Sequence, residues 1–241
     1  MANSGALQIN SFRFISPKDV YEAYLNNEDL NDYFYDHYGV SYHFLFGDTK
    51  PDKFITSILK SAYRNDYFIR YSFFNDVLLK KKAVSFFELP LGDSRADVVS
   101  VNGKSSAFEI KTDYDSLDRL IKQLADYSKA FEYVYVLCSD KRAKAVAELI
   151  PDYCGIYSYK SSGRMSFKLL RPATLSPNLN SCTMIDLMLK KEMTFYFGTT
   201  DKKNTLSSNS FEHINKCFKE AVKKRFAGKM EQISMKCDCL L

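Results

Sequence analysis

The sequence contains no tryptophan, only three histidines and six prolines, and no cysteine pair spaced as CxxC. A structural zinc site built from His and Cys is therefore not expected, and Cys237-Asp-Cys239 stands without histidine neighbours. The absence of Trp argues against a sugar cleft lined by stacking side chains, and with it against glycoside hydrolysis. No apolar run approaches the ~20 residues that span a bilayer, so no membrane is expected. The opening residues lack a basic segment followed by an apolar one, and the ending DCLL lacks the cysteine placement for prenylation. The reading is a cytoplasmic protein whose six cysteines stay reduced. No repeat and no low-complexity linker interrupts the chain. A net charge of +5 falls far short of a polybasic composition, yet it is compatible with a polyanionic partner.

What is present is an aromatic-rich chain of 241 residues, long enough for one sizeable domain with additions. Residues 1–50 combine Tyr and Phe with Asn and Asp, which reads as packing residues with polar connectors rather than a base-stacking surface. His37 and His43 have no second ligand at helical spacing. From Pro51 to about Leu79, Phe54, Ile58, Leu59 and Ala62 recur at helical spacing, predicting two helices in succession. After Lys80–Lys82 the period becomes two: AVSFFELPLG is a strand, and ADVVSV and SSAFEIK form a hairpin about Asn102-Gly103.

Asp115 looks like the N-cap of a helix running to about Lys129, with Leu117, Leu120, Ile121, Leu124 and Phe131 as its stripe. YVYVLCS reads as a buried strand, KRAKAVAELI as a helix, and GIYSYK and MSFKLL as two more strands. The order helix, three strands, helix, strand, helix, strands predicts an α/β layered sheet. Beyond Pro177 the chain turns helical, and its last long helix carries Phe211, Ile214, Phe218, Ala221, Val222 and Phe226 on one face. Lys216, Lys219, Lys223, Lys224 and Arg225 lie mostly on the other, as a solvated face or one that tracks phosphates, with Gly228 as the C-cap.

The hairpin carries charges where a buried strand would carry Val or Ile: Asp97 on its first strand, Glu109 and Lys111 on its second. Side chains two apart share a face, so Glu109 and Lys111 project together while Phe108 and Ile110 project oppositely. Neighbouring strands lie ~5 Å apart, and two carboxylates at that separation need a cation or a proton between them. Oxygen donors of this kind suit Mg²⁺ or Mn²⁺. The simplest alternative is a surface salt bridge between Glu109 and Lys111 on an edge strand.

The spacing is testable. A two-residue Asn102-Gly103 turn would pair Val101 with Lys104 and set Asp97 across from Phe108, on the wrong face. A shared ion thus requires an odd-length loop with Gly103 left-handed, or a bulge.

Asp97 followed after eleven residues by Glu109-Ile110-Lys111 resembles the motif of the PD-(D/E)xK nuclease superfamily, and Gln123 with Tyr127 resembles the Q-x-x-x-Y element of its exonuclease-like branches. With SFFELPLGDSRADVV leading in, residues 65–160 are similar to a small, poorly characterised group of bacterial and phage-associated nuclease-like proteins. Ala96 stands in place of the proline that names the motif.

The resemblance implies a restriction-endonuclease-like core of helix, three strands, helix and strand over residues 51–175, with an aromatic-rich N-terminal segment (1–50) and a C-terminal helical extension (176–241). It implies Asp97, Glu109 and the Ile110 carbonyl as Mg²⁺ or Mn²⁺ ligands, Glu88 as a third acid, and Lys111 as the group that orients the attacking water. Gln123 and Tyr127 would hold Lys111 or the substrate backbone. The function implied is metal-dependent hydrolysis of the phosphodiester bonds of DNA, reached through the cleft and the basic C-terminal helix, with the choice between DNA and RNA left open. A protein partner or a homodimer is left open, as is a catalytically inactive nucleic-acid-binding or protein-interaction module with the same fold.

Overall fold

The computed structural model describes residues 16–61 and 65–228. The side chain of Leu59, residue Ala62, and Cys237 and Cys239 lie outside the described set.

Short aromatic helices open the chain: α1 (Pro17–Leu25), α2 (Leu30–Tyr38), α3 (Tyr42–Phe46) and α4 (Pro51–Ser61). Ser16, Asp29 and Ser41 start the first three by accepting hydrogen bonds from backbone N–H groups of the first turn, which otherwise lack partners. Tyr33, Phe34, Tyr42, Phe46, Phe54 and Ile58 pack into a core of their own, with rings largely edge to face; Phe34 and Phe46 lie 5.5 Å apart at 81°. Most of the described aromatics of residues 1–50 thus serve packing, although Tyr35 and Phe44 remain exposed, and α4 joins that cluster. His37 stacks on Tyr33 at 4.3 Å and donates from Nδ1 to the Tyr33 carbonyl, so it completes a helix turn.

Next comes α5 (Asp66–Phe73), capped by Asn65 and continued by a π-helical turn, Phe74–Leu78, and a 3₁₀ turn, Leu79–Lys81. Six strands follow in one mixed sheet whose spatial order equals chain order: β1 (Val84–Leu91), β2 (Ser94–Asn102), β3 (Lys104–Lys111), β4 (Tyr133–Ser139), β5 (Gly155–Tyr159) and β6 (Phe167–Arg171). The first three are antiparallel, β3, β4 and β5 run parallel, and β6 returns antiparallel. The two parallel steps are crossed by α6 (Leu120–Ser128) and α7 (Ala143–Leu149), as parallel neighbours require. Pro90 is tolerated because β1 is an edge strand.

Both faces are covered. Ile69, Phe73 and Phe74 pack on Val98, Phe108, Ile110 and Leu137, while Leu120, Leu124 and Val146 pack on Val99, Ala107, Val134 and Val136 opposite. The second face is completed by α8 (Ser181–Asp186), α9 (Lys190–Phe197) and α11 (Phe211–Ala227), and α10 (Lys202–Ser208) packs on α8. From α8 and α11, Met184, Ile185, Ile214 and Phe218 enter the sheet's core, and Phe226 stacks on Phe86 at 3.8 Å. Helices α8, α9 and α11 are therefore part of the main core. Among the described residues, no helix is long and apolar enough to cross a membrane.

Two local expectations are corrected. Asp115 does not cap α6: its carboxylate accepts from the N–H and hydroxyl of Thr112, both at 2.7 Å, closing a turn at the end of β3, and α6 begins five residues later without a side-chain cap. The carboxylate binds the donors it meets first, and Leu117 and Phe131 fall outside the helix. The basic side of α11 is not uniformly solvated. Lys219 pairs with Glu132 at 2.8 Å, Arg225 with Glu192 at 2.8 Å, and Lys224 lies 4.8 Å over the Phe195 ring. Gly228 is the C-cap of α11, as expected, and takes a right-handed conformation with φ −71°.

Gly155, at the start of β5, has no room for a side chain. A Cβ there would lie 2.3 Å from the Tyr135 ring and 2.7 Å from the backbone nitrogen of Ala173. Since the backbone cannot retreat as a side-chain tip can, Gly155→Ala is expected to destabilise the fold by about 1–3 kcal/mol in urea unfolding. An unchanged midpoint would mean that β5 and the residues after β6 sit farther apart than described.

Candidate active site

Turn chemistry between β2 and β3 decides the site. Val101 pairs with Ser105 and Asn102 with Lys104, leaving Gly103 alone at the apex with φ +71°, a conformation that a side chain would strain. The loop is thus odd in length. Val98 pairs with Phe108, so one step further the same register sets Asp97 across from Glu109.

At that step the ladder opens. The N–H of Ile110 donates to Asp97 Oδ2 at 2.7 Å, so a side chain takes the place of a strand partner. The β1–β2 ladder is interrupted at the neighbouring point: Phe87 pairs with Val98 and Leu89 with Ala96, while Glu88, at φ +59°, stands between. Phe86 and Leu89, like Ala96 and Val99, enter the same core although each pair is three residues apart. Regular alternation would send them to opposite faces, so both strands change face at Glu88 and Asp97. A non-glycine residue in the left-handed region costs on the order of 1–2 kcal/mol, and such strain clusters at functional positions.

Glu109 and Lys111 lie on a central strand and are only 2% and 7% exposed, which removes the reading of a surface salt bridge on an edge strand. Lys111 Nζ contacts Glu109 Oε1 at 2.9 Å and donates to Gln123 Oε1 at 2.9 Å. Tyr127 Oη lies 2.6 Å from Glu109 Oε2 and 2.7 Å from the Arg95 carbonyl, so its one O–H faces two acceptors. One helical turn separates Gln123 from Tyr127 on α6, which places both over β3. Burial, followed by the charge of Glu109, drives the Tyr127 phenol well above its ordinary range. Gln123 therefore holds Lys111, and Tyr127 holds Glu109.

Arg70 and Asp66, both on α5, were not among the residues singled out from the sequence. Arg70 is 5% exposed and reaches Glu88 Oε1 at 2.8 Å, Asp66 Oδ2 at 2.9 Å and Asp97 Oδ1 at 3.6 Å. The available signal was Asp66 and Arg70 at i and i+4, with Arg70 inside the apolar run Phe68–Phe74 where a lone cation needs partners. Glu88 is half-exposed and leans toward Arg70 and Arg95. A cavity of about 650 Å³ opens beside it, lined by Tyr21, Tyr24, Asp66, Tyr67, Arg70 and Glu88.

The six residues singled out are thus gathered around the interruption shared by β1 and β2 and the adjoining end of β3, with Glu88 at the periphery. Among the described residues, no group of three or more His, Cys, Asp or Glu side chains is close enough to hold a metal ion. The inner donor set reduces to Asp97 and Glu109, both hard oxygen ligands. That set fits Mg²⁺ or Mn²⁺, which bind through one or two carboxylates and keep several waters.

Burial, and next the charge of Glu109, push the Asp97 carboxyl from 3.8 up to about 7. The unfolded chain ionises this group near pH 4, so between pH 4 and 7 the folded state binds the extra proton, and stability falls as pH rises through that window. The full rise would correspond to ~4 kcal/mol, and since Asp97 keeps a fifth of its side-chain surface in water, about 2 kcal/mol is expected. In EDTA, the urea midpoint should drop from pH 5 to pH 8, and Asp97→Asn should flatten that drop. An equal drop in the variant would assign it to another group.

Residues 60–236 match the family described as Bacteriophage P4 protein cII, and the chain belongs to that family. Protein cII of Enterobacteria phage P4 is 33% identical over 100 residues, which is 41% of this chain and 38% of that protein. The match thus spans well under half the length of the curated relative. The chain is also similar to a solved structure, the SPO1766 protein of unknown function from Silicibacter pomeroyi, at 19% identity and a TM-score of 0.33, over 42% of this chain and 68% of that one. At that level no inference about fold or function transfers.

Proposed function

We propose that the chain is a Mg²⁺- or Mn²⁺-dependent nuclease that hydrolyses phosphodiester bonds of DNA in the cytoplasm, with β1–β4, α5 and α6 as a restriction-endonuclease-like core. The observation that carries this reading is the odd-length hairpin register, which sets Asp97 across from Glu109 with Lys111 beside them. Asp97, Glu109 and the Ile110 carbonyl would hold the ion, and Glu88 would join them as a third acid. A bound divalent ion lowers the pKa of its water and neutralises charge that develops on the phosphate.

The chain's own residues divide the remaining work. Lys111 is a point charge with three donors; Glu109 and Gln123 use two directions and leave one to face a water or a phosphate oxygen. Tyr127 fixes the carboxylate plane of Glu109. DNA would approach along the Glu88 side, and the α11 lysines with no internal role above, Lys216 and Lys223, would contribute to long-range attraction.

One feature favours a second reading, a nucleic-acid-binding or protein-interaction module that keeps this fold without turnover: every carboxylate of the site has a partner within the protein. The two readings separate in one assay. With Mn²⁺ or Mg²⁺ the purified full chain should degrade linear duplex or single-stranded DNA and stop in EDTA. Binding that is indifferent to EDTA, with no cleavage of either substrate, would favour the module.

A further inference from the structure

Arg70 occupies a position that the site's chemistry would otherwise assign to a cation. Its guanidinium is buried, meets carboxylates of Asp66, Glu88 and Asp97 at 2.9, 2.8 and 3.6 Å, and still leaves Nε buried without a hydrogen-bond partner. Such a group is held by charge more than by a complete hydrogen-bond set. The same Asp97 Oδ1 that faces Arg70 is the oxygen left to an incoming ion, because Oδ2 accepts from the Ile110 N–H. Glu88, the third acid, is drawn outward to Arg70, at a backbone position strained by φ +59°. The adjoining cavity of about 650 Å³, lined by both Arg70 and Glu88, provides room for either side chain to swing.

We propose that Arg70 is an internal counter-ion that competes with the divalent cation for Asp97 and holds Glu88 out of the ligand set, so that it sets the metal affinity of the site. The proposal rests on the reading of Asp97 and Glu109 as metal ligands. A positive charge within a few ångströms of Asp97 opposes a second cation there, and its removal also frees Glu88. Loss of Arg70 should therefore tighten metal binding, which is the reverse of what a merely structural arginine would do.

The test is calorimetric titration of the full chain with Mn²⁺, comparing wild type, Arg70→Gln, Arg70→Lys and the Arg70→Gln/Glu109→Gln double variant. Arg70→Gln should bind about tenfold more tightly or better, Arg70→Lys should stay near wild type because the charge is retained, and the double variant should lose the gain. Binding by Arg70→Gln where wild type shows none supports the proposal equally. If wild type binds and Arg70→Gln binds no better, the counter-ion role is overturned while the nuclease reading stands. If neither binds, both are overturned, and tight binding that survives in the double variant also overturns the role. Should Arg70→Gln fail to fold, Mg²⁺ titration of the wild type decides by NMR: the Arg70 Nε–H resonance should move as the site fills, and a fixed resonance at saturation counts against the proposal.

Discussion

Replacing Lys111 by methionine is expected to destabilise the protein by about 3–5 kcal/mol, because the variant leaves Glu109 as a buried carboxylate without its cation. The ammonium lies 2.9 Å from Glu109, and both side chains are almost fully removed from water. A surface pair of the same length would contribute under about 1 kcal/mol, so the size of the loss reports burial directly. Combining Glu109→Gln with Lys111→Met should recover much of it, since neither remaining group is charged. Urea unfolding of both single variants and the double variant completes the cycle. A loss below about 1 kcal/mol for Lys111→Met would mean that water reaches Glu109, and the site would then lack the dry setting that strengthens its electrostatics.

The second large effect is on turnover. Glu109→Gln and Asp97→Asn keep side-chain shape close to native while removing a charge, and in protein verified as folded each is expected to lower DNA cleavage by about 10²–10³-fold or more. Gln123→Ala should act more weakly, because Glu109 still positions the ammonium of Lys111. Cleavage rates on one labelled duplex at fixed Mn²⁺ make the comparison. Equal activity in Glu109→Gln and wild type would remove Glu109 from the chemistry and leave its contacts with Lys111 and Tyr127 as structural.

Much of this geometry was readable because it follows from period and register. Alternation of two put Glu109 and Lys111 on one face, a spacing of four put Gln123 and Tyr127 together on a helix, and the parity of the hairpin loop tied Gly103 to the meeting of Asp97 with Glu109. The α/β order was equally legible, since apolar runs and breakers mark each strand and crossover helix.

What escaped the sequence reading depends on contacts made at long range. Asp115 has the composition of an N-cap, yet its carboxylate accepts from the N–H and hydroxyl of Thr112, and α6 starts without a side-chain cap. Lys219 and Arg225 repeat like a solvated face, but Glu132 and Glu192, far away in the chain, turn inward to meet them. Arg70 sits within a helical apolar run, and only the folded sheet brings Glu88 and Asp97 to it. The change of face at Glu88 and Asp97 has no signature in composition, because the register on either side is the same.

The most direct measurement is a crystal of the full chain soaked in Mn²⁺ and recorded at a wavelength where manganese scatters anomalously. A single strong anomalous peak bonded to both the Asp97 and Glu109 carboxylates, with Lys111 Nζ alongside, is the predicted result. A map with no peak there, or with manganese held only by residues elsewhere, would contradict the account.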